Sequence, residues 1–125
     1  MKQREQIITN YIKAYNNFDI DGMLTDLDPA VTFVNISSGE VNMTLTGLSA
    51  FNEQAIQAKD LFSIREQTIK SFKHFEDHAE IEIAYNAVLA IDLPNVLKRG
   101  DKLNINGKST FKFSGDKIIE ITDIS

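Results

Sequence analysis

The sequence predicts an α+β domain with helices on one face of an antiparallel sheet. Two observations carry this. In the first half of the chain apolar residues recur at steps of three and four, the spacing of helices, around a short β-branched run. From residue 63 onward the period changes to two, the spacing of half-buried strands. The 125 residues match one domain, 1–125, large enough to bury a core without disulfides or metals.

Each element has its own reason. Over residues 2–18, Ile7, Ile8, Tyr11, Ile12, Tyr15 and Phe18 form one apolar stripe. Asn16 and Asn17 weaken that helix, and Asp19 is placed to cap a second one over 20–27. Pro29 is expected to stop the second helix, with a turn at Asp28-Pro29. Val31 to Ile36 is β-branched and aromatic, a strand. Ser37-Ser38-Gly39 turns it back, and Val41, Met43 and Leu45 alternate with Asn42, Thr44 and Thr46 in a hairpin partner. Helical spacing returns over 48–62, with Phe51, Ala55 and either Ala58 or Ile56 on one side.

Four strands follow. Residues 64–75 alternate irregularly, as a strand with a bulge does. Residues 79–91 set Ile81, Ile83, Tyr85, Ala87, Leu89 and Ile91 on one face. A loop spans 92–100, and residues 103–113 direct Leu103, Ile105, Gly107, Ser109, Phe111 and Phe113 inward. The last strand, 117–124, aligns Ile119 and Ile121 with Asp123.

Charge and composition exclude several functions. The net charge of −5 leaves no clustered Lys and Arg for a phosphate backbone, so no nucleic-acid partner is expected. No apolar run approaches the ~20 residues of a membrane span, and none at the N-terminus resembles a signal core, so a cytoplasmic protein is expected. With no cysteine there is no disulfide, thiolate metal site or cysteine nucleophile. His74 and His78 flank the turn at Glu76-Asp77. Such histidines are more often solvent-exposed loop residues than ligands, so no metal and no cofactor are assigned. Asn17 to Asp28 imitates a calcium loop, but Asn stands first, Asp28 replaces the closing Glu, and Pro29 blocks the exit helix. Neither a G-x-S-x-G elbow nor a Gly-rich phosphate loop is present.

The stretch NYIKAYNNFDIDGMLTDLDPAVTFVN resembles the opening of the nuclear transport factor two-like superfamily, which includes ketosteroid isomerases and SnoaL-like polyketide cyclases. AIDLPNVLKRGDKLNINGKSTFKFSGDKIIEITDI is similar to that group's closing strands. The resemblance covers nearly the whole chain and implies a cone. In it a strongly curved antiparallel sheet wraps a pocket that N-terminal helices close, and a homodimer forms through the outer sheet face. Compared with ketosteroid isomerase, Tyr11 falls at the oxyanion-holding tyrosine, Asn35 at the general-base aspartate, and Ser109 near the second oxyanion donor. An amide cannot take a proton from carbon at neutral pH, so steroid isomerase activity is not expected. Asp123 stands where SnoaL-like sequences carry an aspartate near the end. Their nearby histidine is missing, because Ile121 occupies that place.

Two residues are candidates for chemistry. Asp123 is either an acid–base group whose pKa is raised among Ile and Phe side chains, or a solvated residue at a frayed end. Tyr11 either donates to an oxygen gaining negative charge or is a core aromatic, the second being the more ordinary role. Tyr15, Phe33, Asn35, Phe51, Tyr85, Ser109 and Phe111 are expected around a small apolar or aromatic ligand. Three functions compete. One is an isomerase, cyclase or dehydratase working by proton transfer. Another is a non-catalytic binder. The last is an interaction module whose phenylalanines Phe33, Phe51, Phe62 and Phe111 fill the cavity.

Overall fold

The computed structural model describes residues 2–94 and 97–125. Asn95 and Val96, in the expected loop, lie outside the described residues. The order is α1 (Lys2–Asn16), α2 (Ile20–Leu24), β1 (Leu27–Ser37), β2 (Glu40–Thr46), α3 (Leu48–Lys59), β3 (Phe62–His74), β4 (His78–Leu89), β5 (Lys102–Ser114) and β6 (Lys117–Ile124). The strands form one curved, unclosed sheet in the order β2-β1-β6-β5-β4-β3. Neighbours run antiparallel except β1 and β6, which are parallel. The helices cover the inner face. No helix among the described residues is long and apolar enough to cross a membrane.

The core follows the apolar stripe of α1. Ile8 and Ile12 pack with Ile81, Phe111, Ile118 and Ile121, all at most 4% exposed. Each such side chain contributes roughly 1.5–3 kcal/mol by leaving water. The helix ends where Phe18 takes a left-handed backbone, φ 57°. There the Phe18 N–H donates to the Tyr15 carbonyl and the Asp19 N–H to the Ala14 carbonyl, a closing pattern usually given to glycine. Asp19 then caps α2 as expected, its carboxylate accepting from the Gly22 N–H at 3.0 Å.

Several expectations are corrected. Helix α2 stops at Leu24, and Pro29 lies inside β1 rather than in a turn. It is tolerated because the β1–β6 register shifts between Leu27 and Thr32, so no ladder bond is lost, and the Asp28 carboxylate accepts from the Ala30 N–H. In α3 the buried side is Phe51 and Ala55, while Ile56 is exposed. Ile91 falls beyond β4 and is exposed. Ile105 is also exposed, at 41%. A bulge at Ile119 of β6, opposite Lys112 and Phe113, leaves Ile119 unpaired and sets Phe113 against Ile118. Ile118, not Ile119, therefore shares the buried side with Ile121.

His74 is no loop residue. It closes β3, stacks on Phe72, and meets Glu5 of α1 at 2.5 Å, fastening helix to sheet. His78 pairs with Asp77 at the surface.

Candidate functional site

A cavity of about 330 Å³ lies between α1, α3 and the inner face of the sheet. Tyr11, Tyr15, Phe33, Asn35, Phe51 and Asp123 line it. Phe33, Phe51 and Phe62 form walls around it rather than filling it, so the phenylalanines do not collapse the space. Three other expected ligand contacts stand elsewhere. Ser109 and Phe111 are each 1% exposed and sit behind the lining, and Tyr85 faces a neighbouring depression.

One end of the cavity is acidic. Strand pairing sets Asp123 between Asn35 of β1 and Ser109 of β5. The Ser109 hydroxyl donates to Asp123 Oδ1 at 2.6 Å. Asp123 takes part in none of the ion pairs found among the described residues. Burial pushes its pKa up to about 6, against the smaller lowering effect of the Ser109 hydrogen bond. A carboxyl in that range gives and takes protons near neutral pH.

Tyr11 stands on α1 beside this end. Its ring meets Phe111 edge-on at 5.6 Å and tilts against Phe51. Burial, and then the charge of Asp123, hold its pKa well above the phenol range, so it stays a hydrogen-bond donor. One turn further along, the Tyr15 hydroxyl lies 2.9 Å from that of Tyr85. Burial also raises both of these groups. One side-chain N–H of Asn35 donates to Asn42 Oδ1 at 2.8 Å.

The other end holds a cation that the strand pattern did not single out. Arg65 of β3 is 3% exposed and lines the cavity. Its Nε donates to the Tyr15 carbonyl at 2.8 Å, at the C-terminal end of α1 where positive charge is favoured. Its guanidinium lies 3.8 Å from the Tyr15 ring centre and 4.5 Å from that of Phe18. Gln67, two residues on, also lines the cavity. Its backbone is held by the Asn16 side chain, which donates to the Gln67 carbonyl at 3.0 Å and accepts from the Gln67 N–H at 2.8 Å. No three His, Asp or Glu side chains gather as metal ligands among the described residues.

No protein-family model and no curated protein matches the chain. Solved structures do. TerC, crystallised with polyporic acid, is 15% identical, with a TM-score of 0.80 over 98% of this chain and 90% of that one. A nuclear transport factor two-like protein of unknown function from Burkholderia pseudomallei is 12% identical, with a TM-score of 0.80 over 98% and 90%. A candidate SnoaL-like polyketide cyclase from Jannaschia is 14% identical, with a TM-score of 0.77 over 98% and 84%. The chain thus has the fold of the SnoaL-like and ketosteroid isomerase-like proteins.

Proposed function

We propose that the protein is a small enzyme of the isomerase, cyclase or dehydratase type that moves a proton on a small, largely apolar or aromatic molecule. Asp123 acts as the acid–base group and the Tyr11 hydroxyl steadies the oxygen that gains negative charge. The observation that carries this reading is the Asp123 carboxyl at the cavity wall, held by Ser109 at 2.6 Å and poised near pH 6. Structural neighbours described as polyketide cyclases support the class of chemistry. The steroid isomerase route is not proposed, since Asn35 offers no base.

Deuterium uptake beside the carbonyl of β-tetralone, followed by NMR, tests it. The wild-type protein should speed the exchange, and Asp123→Asn should remove the acceleration, on the order of 10²-fold or more. Acceleration surviving in Asp123→Asn sinks the acid–base role. Ligand binding without any acceleration would make the protein a non-catalytic binder.

The proposal extends to a cytoplasmic homodimer. Cysteine-free composition supports the compartment. The outer sheet face supports the dimer, with half-buried Ala84, Val88, Thr110 and Thr122 beside exposed Lys108 and Lys112. Light scattering at micromolar concentration should give twice the 14.1 kDa chain mass, and a monomer would refute the dimer.

A further inference from the structure

We propose that Arg65 anchors an anionic group of the ligand, so that the cavity takes a small monocarboxylate with an apolar or aromatic body. This rests on the cavity being the ligand site and adds the charge of what enters it. Arg65 is 3% exposed and lines that cavity, yet it joins none of the ion pairs found among the described residues. Its Nη2 is buried with no hydrogen-bond partner, as is Oε1 of Gln67 two residues on in the same lining. A buried donor without an acceptor is costly, and a charged one more so.

A purely structural role accounts for only part of this. Capping α1 uses Nε, which donates to the Tyr15 carbonyl. Stacking uses the faces of the guanidinium, against Tyr15 and Phe18. Neither contact gives the Nη2 N–H groups an acceptor, and a guanidinium edge is the fork that matches a carboxylate. Among the described residues no lysine joins it in the cavity lining, so a single negative charge fits better than a phosphate. The same lining includes Phe33, Phe51 and Phe62, which suit a ring or a hydrocarbon body.

Benzoate and benzamide have nearly the same shape and differ in charge. Each is titrated into the intact protein, with backbone amide shifts in NMR as the readout. Benzoate should bind about tenfold tighter or better, the scale of a charged hydrogen bond. Arg65→Met should bring the two affinities together, and Arg65→Lys should keep part of the preference. Should Arg65→Met fail to fold, the wild-type comparison and Arg65→Lys still decide. Equal binding of the two ligands by the wild type overturns the anion anchor and leaves the cavity reading standing. If neither ligand binds, the anchor and the cavity reading fall together. A preference that persists in Arg65→Met also overturns the anchor.

Discussion

The two ends of the cavity are built on opposite rules. At the Asp123 end a half-buried carboxyl meets a neutral donor, Ser109, and its pKa moves toward neutrality. At the Arg65 end the charge cannot be shed, because a guanidinium stays protonated, so it is held by a helix carbonyl and two aromatic faces. The acid end can therefore change its charge during a reaction, while the cationic end is fixed. On the proposed reading, a substrate lying between them would meet one constant partner and one variable partner, which is what separating binding from chemistry requires.

That contrast is open to test at the acid end. The largest effect expected is on rate. Tyr11→Phe should slow the exchange of β-tetralone by about 10²–10³-fold, the loss of one well-aligned oxyanion donor. The same variant should leave the preference for benzoate over benzamide in place. Loss of that preference with Tyr11 would show that the two ends do not act separately.

A smaller effect concerns stability. The folded protein holds the Asp123 proton up to about pH 6, whereas the unfolded chain releases it near 3.8. With the folded pKa the higher of the two, this group's contribution is full below the unfolded value and is lost as pH rises through the folded one. The loss is about 3 kcal/mol at most, from a difference of roughly two pKa units. Urea midpoints between pH 4 and 8 should show this fall in the wild type relative to Asp123→Asn. The variant should lack that part of the slope and be the more stable protein at pH 8. Parallel curves for the two proteins would mean that Asp123 is solvated.

The acid end was legible in the sequence because β5 and β6 keep strict alternation where it matters. Ser109 shares a face with Phe111, and Asp123 with Ile121, so parity alone brings the hydroxyl to the carboxylate. The cationic end was not legible. The β3–β4 register shifts twice, at Phe62/Ile64 and at Ile69/Ser71. These shifts turn Ile64 outward, at 61% exposure, and Arg65 inward, the reverse of what hydropathy predicts. Only the shared parity of Arg65, Gln67 and Ile69 carried the information. The bulge at Ile119 of β6 likewise moved the buried role from Ile119 to Ile118. Long helices and the hairpin β1–β2 were readable for a simpler reason: local spacing and a Gly turn determine them. Pro29 misled because a proline reads the same whether it ends a helix or occupies an unpaired stretch of strand.

The Asn16 side chain has a consequence outside the cavity. β3 is the last strand of an open sheet, and such an edge invites a second chain to continue it. At Gln67 the invitation is already answered, since one amide group supplies both the donor and the acceptor that a neighbouring strand would bring. The end of a helix thereby serves as a one-residue strand. It closes the middle of the edge to pairing with a further strand at that residue.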